Sequence, residues 1–223
     1  MDAGLLFQSA KKFILGFAAV AILIFAPAGT IDYPNGWLFI GLLFIPMLMV
    51  GIILIIKAPG LLAKRLNAKE TQSDQKLVVL ISGLMFVSSF ILAGLNYRFG
   101  FSKLPDWVVF LSSIIFLLAY LMYMEVLREN EYLSRTVEVD KNQKVIDTGL
   151  YGIVRHPMYT STIFLFLTMP LILGSFYSFV ILLVYPVLIR FRIKNEEKVL
   201  EEELDGYGDY KKKVKYKILP LIW

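Results

Sequence analysis

Arg155-His156-Pro157-Met158-Tyr159 is a polar stitch ahead of two uncharged apolar runs, 159–173 and 176–189, which only Gly174-Ser175 separates. The pattern reads as a tight helical hairpin. Runs of 15 and 14 residues are short for a hydrocarbon core of about 30 Å at roughly 1.5 Å rise per residue. Residues 155–158 and 190–194 must therefore complete the two helices. Since the turn is no more than a Gly-Ser pair, both polar ends lie together on the opposite side of the membrane. The first helix of the pair should begin at His156-Pro157, because a proline fits the first turn, where its missing N–H would have had no partner. His156 then occupies the cap, beside the positive end of the helix dipole.

Working outward, four further runs carry no Asp, Glu, Lys, Arg or His: 13–31, 37–56, 77–95 and 107–124, each 18 to 20 residues long. Hydrophobic residues make up 57% of the chain and charged ones 18%, the balance of an integral membrane protein. The expected fold is all-α, with six transmembrane helices. It divides into a four-span block, 1–127, and a C-terminal block, 128–223, built on the hairpin. The first run follows Lys11-Lys12 and has the small residues Ala26, Ala28 and Gly29 towards its end, as a signal peptide would, but its continuous length and the spans behind it favour a retained anchor. The segment 57–76 reads as a mixed polar connection, with Pro59-Gly60 marking the end of the second span.

Positive charge settles orientation, since short loops rich in Lys and Arg stay in the cytoplasm. With both termini cytoplasmic, all of the 23 basic residues except Arg98 and Lys103 lie inside. The net charge of +5 reflects those loops and the tail Lys211-Lys212-Lys213-Val214-Lys215-Tyr216-Lys217, which should lie against anionic headgroups. Nucleic acid is a poor partner for lysines placed just beyond a membrane hairpin. No cysteine is present, and the chain has a single histidine. Disulfides, thiolate chemistry and multi-histidine metal sites are thereby excluded, and no metal is expected.

In 135–147, Val137 and Val139 alternate with Thr136 and Glu138, Asp140-Lys141-Asn142-Gln143 interrupts, and Val145-Ile146 follows. This weak hairpin pattern argues for an extended segment on the membrane surface. Gly149 and Gly152 come next, where a backbone can approach a ligand closely. Past the last span, Arg192-Ile193-Lys194-Asn195-Glu196-Glu197 continues as a helix to about Leu204, and Asp205-Gly206 ends it. Arg192 and Glu196 share a face; Glu196 and Glu197 diverge by about 100°, so at most one of them points squarely into a single pocket. The hairpin brings Arg155, His156 and Tyr159 near Arg192, Glu196 and Glu197. Taken singly each has a plainer reading: a helix cap, a headgroup anchor, interfacial aromatics, a solvated helix face.

Gly149-Leu150-Tyr151-Gly152-Ile153-Val154-Arg155-His156-Pro157-Met158-Tyr159, then a short helical hairpin and Glu196-Glu197, resembles the isoprenylcysteine carboxyl methyltransferase family, part of a wider group that includes phospholipid N-methyltransferases. The likeness covers roughly 130–223. It implies a membrane enzyme that uses S-adenosylmethionine, held in a cytoplasmic cofactor-binding segment. By the same resemblance Val145, Ile146, Gly149 and Tyr151 line the cofactor, and Arg155, His156, Pro157 and Tyr159 form the segment that holds its amino-acid end. Glu196 or Glu197 binds its hydroxyls or amine. Two places depart from the family pattern: Gln143, where relatives often have His, and Asp205-Gly206-Tyr207, where they often have Phe-Gly followed by acidic residues.

Methyl transfer from a sulfonium is an in-line displacement, favoured by alignment and exclusion of water. Tyr151 and Tyr159 suit a cationic sulfonium, while Arg155 and the helix start at His156 suit a carboxylate. The acceptor expected is a prenylated, lipid-like carboxylate in the membrane. It is already ionised, so no base is needed, and Arg192 would position it. An amine acceptor, as in phospholipid N-methylation, requires a base, for which His156, Glu196 and Glu197 are the candidates. Sterol reductases that use a nicotinamide cofactor resemble the same C-terminal region. A small transporter or scaffold is disfavoured, because no span carries an intramembrane charge.

Overall fold

In the computed structural model, residues 3–66, 73–134, 139–140 and 142–223 are described. Nine α-helices occur among them: α1 (Ala3–Ala28), α2 (Pro34–Lys57), α3 (Pro59–Leu66), α4 (Ser73–Phe99), α5 (Asp106–Glu129), α6 (Pro157–Ile172), α7 (Phe176–Leu182), α8 (Val184–Glu203) and α9 (Tyr207–Lys213). The described residues contain no strand. The protein is an all-α integral membrane protein. Five stretches are long and apolar enough to cross a bilayer: α1, α2, α4 from Gln75, α5, and Phe176–Glu203, which runs through α7 and α8. The sixth apolar helix, α6, has only 16 residues, about 24 Å at 1.5 Å per residue.

The bundle core is assembled by close contacts between spans. Ile24, Phe39, Phe90, Phe116 and Ile172 are fully or nearly fully buried in one cluster drawn from α1, α2, α4, α5 and α6. Gly94 explains how α4 lies so close to α1, because a Cβ there would stand 2.4 Å from the Ile24 carbonyl oxygen. The outer surface keeps Ile14, Ile45, Leu80, Phe110 and Leu121 exposed, as lipid-facing positions require.

The hairpin forms where the sequence places it. Pro157 opens α6 with His156 at the cap, and Ser175 caps α7 by accepting from Ser178 N at 3.3 Å. The turn is held from outside: Asn96 Nδ2 donates to the Gly174 carbonyl at 3.3 Å, and Ser102 Oγ accepts from Phe176 N at 3.2 Å. The returning limb breaks at Leu183, between α7 and α8. Pro186 supplies the cause, since it cannot donate to the Leu182 carbonyl and its ring crowds that group.

One expectation needs correction, and two gain detail. The connection after the second span is not all loop, because Pro59–Leu66 forms α3. The hairpin signal over 135–147 falls partly on 135–138 and Lys141, which lie outside the described residues. Asp140 and the stretch 142–147 form an irregular strap, turned by Gln143 N donating to the Asp140 carbonyl at 3.0 Å. Finally, the basic tail also packs on the protein itself. After α9 it returns to the hairpin, where Arg155 N donates to the Tyr216 carbonyl at 2.9 Å and His156 N to that of Lys217 at 2.8 Å.

Candidate active site

The tail packs behind the segment at the start of α6, whose Arg155, His156 and Tyr159 line the site. Arg155 Nη1 donates to the carbonyls of Val214 and Lys215 at 2.7 and 2.9 Å, and Thr160 Oγ1 donates to that of Ile218 at 2.8 Å. Arg155 Nε donates to Glu197 Oε1 at 2.9 Å, and Lys217 Nζ to Glu197 Oε2 at 2.7 Å. His156 Nε2 lies 3.3 Å from Glu197 Oε1. Glu197 is thus the centre of a buried cluster with three cationic or imidazole neighbours. The stretch Phe176–Glu203 is 28 residues, about 42 Å, so its charged end extends beyond a core of about 30 Å. Burial opposes ionisation of Glu197, but hydrogen bonds from His156, Lys217 and Arg155 outweigh it and hold the carboxyl well below the usual carboxylate range.

Glu196 has a different role. It lines an open pocket together with Tyr151, His156, Tyr159 and Arg192. The Tyr159 hydroxyl donates to Glu196 Oε2 and accepts from Arg192 Nε at 2.9 Å. Arg192 Nη1 also donates to Gln75 Oε1 at 3.1 Å, tying the site to α4. His156 Nδ1 is 3.9 Å from Glu196 Oε1. The divergence of adjacent helical residues therefore separates the two carboxylates, Glu196 into the pocket wall and Glu197 into the buried cluster behind it, outside the lining.

The opposite wall comes from the strap and the segment that follows α5. Val145 and Ile146 line the pocket, as does Tyr151, whose hydroxyl accepts from Asn130 Nδ2 at 2.8 Å and whose carbonyl accepts from the Tyr210 hydroxyl at 2.8 Å. Burial raises the pKa of the Tyr151 and Tyr207 hydroxyls, so both stay protonated. Gly149 and Pro157 stand outside the pocket lining. Gly149 has φ +52°, and a Cβ there would lie 1.5 Å from Glu129 Oε1. Its close approach is to that carboxylate, which accepts from Leu150 N at 3.0 Å. Pro157 acts through the helix start.

Sequence reading missed several wall residues. Leu200, Leu204, Tyr207 and Tyr210 line the pocket from the end of α8 and from α9. Leu204, Tyr207, Tyr210 and Val214 form their own buried cluster, against which Val145 packs. The Leu200-x-x-x-Leu204 spacing was the available signal, a helical face continuing past Glu197. Lys217 carried none, being one lysine of a basic run. No group of three or more His, Cys, Asp or Glu suited to a metal ion occurs among the described residues.

Residues 107–205 match the phospholipid methyltransferase family. Over those residues the chain carries a domain of that membrane methyltransferase group. No curated protein matches it. The matched segment supplies α5, the strap, the hairpin and Glu196, whereas Tyr207, Tyr210 and Lys217 lie beyond it.

The methyl donor such enzymes use, S-adenosylmethionine, can be tested against this pocket. Among the described residues only two buried side-chain atoms lack a hydrogen-bond partner, Tyr207 Oη and Arg65 Nη1. The first belongs to a residue of the pocket wall. An unpaired buried hydroxyl costs about 1–3 kcal/mol, which a polar ligand would relieve. Glu196 adds a carboxylate suited to an amine or to ribose hydroxyls, and Val145, Ile146 and Leu200 offer apolar surface. The residues present fit the group.

Proposed function

We propose that this chain transfers a methyl group from S-adenosylmethionine to a lipid-embedded carboxylate of the isoprenylcysteine kind. The pocket shared by the α6 start, the α8 end and the strap carries this reading, because it joins the resembling motif to Glu196 in one concavity within the matched domain. Bound there, the cofactor would supply an electrophilic methyl on a sulfonium. Glu196, Tyr151, His156 and Tyr159 would hold it, with Val145 and Ile146 along its apolar side. Arg155 and Glu197 would act mainly from behind, fixing His156 and the tail. Gly149 and Pro157 would contribute by shaping the strap and the helix start.

Arg192 is the residue assigned to the acceptor. It lines the pocket and reaches Gln75 on α4, so its guanidinium stands between the pocket and the apolar bundle. There it would orient an ionised carboxylate, for which no general base is required. Six spans, with α6 crossing beside α5 and both termini cytoplasmic, would place the pocket on the side rich in Lys and Arg. In this reading block 1–127 guides the lipid acceptor and block 128–223 performs the transfer.

A second reading, methylation of a phospholipid amine, draws on the description of the matched family and on the 3.9 Å approach of His156 Nδ1 to Glu196. That pair would take the amine proton. Incubating membranes with donor labelled in its methyl group, then identifying the labelled lipid or peptide, separates the two. Label recovered as a base-labile methyl ester supports the carboxylate. Label retained on phospholipid nitrogen replaces it with the amine. Preferential binding of a reduced nicotinamide cofactor over S-adenosylhomocysteine would overturn both.

A further inference from the structure

A second concavity of about 570 Å³ opens between α2, α3 and α5. Its floor is apolar, made by Val50, Ile53, Leu54 and Met124, and its rim carries Lys57, Lys64 and Arg128. It is distinct from the methyl-transfer pocket. Leu61 and Leu127 close it off, packing in one buried cluster with Leu133 and Tyr151 on the far side.

Lys57 directly follows the uncharged run 37–56, so its ammonium lies at headgroup depth while Val50 and Ile53 lie among acyl chains. An apolar floor at that depth offers nothing to hold water, and an empty cleft forfeits dispersion contacts. A lipid chain satisfies it. The rim complements a phosphate. Lys57 has no hydrogen-bond or ion-pair partner among the described residues. Lys64 and Arg128 pair with Asp140 and Glu125, contacts exposed enough for a phosphate to compete. Among the described residues Glu131 is the one carboxylate of the lining. Gly60, also at the rim, lies in the first turn of α3, where N–H groups lack intrahelical partners and the dipole favours an anion.

We propose that this cleft holds one anionic phospholipid, its phosphate between Lys57, Arg128 and the start of α3 and one acyl chain over Ile53 and Leu54. The experiment is native mass spectrometry of detergent-purified protein titrated with phosphatidylglycerol or phosphatidylcholine. One phosphatidylglycerol should be retained in preference to phosphatidylcholine. Lys57→Glu should weaken retention roughly tenfold, and Ile53→Trp, which fills the cleft without touching the rim, should also reduce it.

Equal retention of the two lipids, or phosphatidylglycerol binding unaffected by both substitutions, would overturn the proposal. Salt titration of the wild-type protein is the control that needs no variant: retention should fall as ionic strength rises, and a flat response also counts against the site. The readout involves no methyl donor. Failure of methyl transfer would therefore strike the function proposed above and leave this assignment standing.

Discussion

Arg155 and Glu197 form a buried ion pair across the hairpin, with Nη2 to Oε1 at 2.8 Å and side chains only 4% and 6% exposed. The same carboxylate binds Lys217 and touches His156, so it locks three chain segments together. Removing one partner of such a pair leaves a buried charge uncompensated, at a cost of about 3–5 kcal/mol. Glu197→Ala should lower thermal stability in detergent by that order, and loss of donor binding should accompany the unfolding. A variant as stable as the parent would show that the cluster does not hold the tail.

The acid response should follow from the same residue. With its pKa depressed in the folded state, Glu197 contributes stability that is fully present above the unfolded value near 4.5 and is lost as pH falls below it. Unfolding curves should therefore show no contribution from Glu197 to any change between neutrality and mild acidity. In Glu197→Gln the part of the acid sensitivity that arises below pH 4.5 should shrink. An unchanged acid limb would remove Glu197 as its source.

Glu196 should behave in the opposite way. It lines the pocket and is about a quarter exposed, at 24%, so Glu196→Ala should cost little stability. A hydrogen bond to a charged group is worth about 1.5–3 kcal/mol, roughly ten- to a hundredfold in affinity. Titration calorimetry with S-adenosylhomocysteine should report that loss. Wild-type affinity in the variant would take Glu196 out of the binding site.

These contrasting expectations mark how far the sequence was legible. Pro157 at the helix start, Gly174-Ser175 at the turn and the angular separation of Glu196 from Glu197 are local consequences of backbone geometry, and all three are found in the fold. The return of the tail was not readable. Its pairing of Tyr216 and Lys217 with Arg155 and His156 is made by backbone groups, which every residue carries, and Lys217 looks like any lysine of a basic run. The wall formed by Tyr207 and Tyr210 was hidden for a related reason: it depends on where α9 folds back, which no local pattern specifies.

Gly149 tests the strap. Its φ of +52° disfavours any side chain, and a Cβ would overlap the Glu129 carboxylate. Gly149→Ala should destabilise by about 1–3 kcal/mol. Shortening the neighbour in Glu129→Ala should recover the part caused by overlap and leave the backbone part. A double-mutant cycle measures this, and strict additivity of the two substitutions would refute the contact.

Tyr207 gives the sharpest separation of stability from binding. Its hydroxyl is buried without a partner, so Tyr207→Phe removes an unsatisfied group and should leave the ligand-free protein as stable or more stable, by up to about 1–3 kcal/mol. If a bound donor satisfies that hydroxyl, the same change should weaken S-adenosylhomocysteine binding by roughly tenfold. Thermal unfolding with and without ligand reads both effects in one experiment: the melting temperature rises or holds in the apo protein, and the ligand-induced shift shrinks. A full-sized shift in Tyr207→Phe would mean that the ligand never reaches this hydroxyl, and the α9 wall would then belong to the scaffold alone.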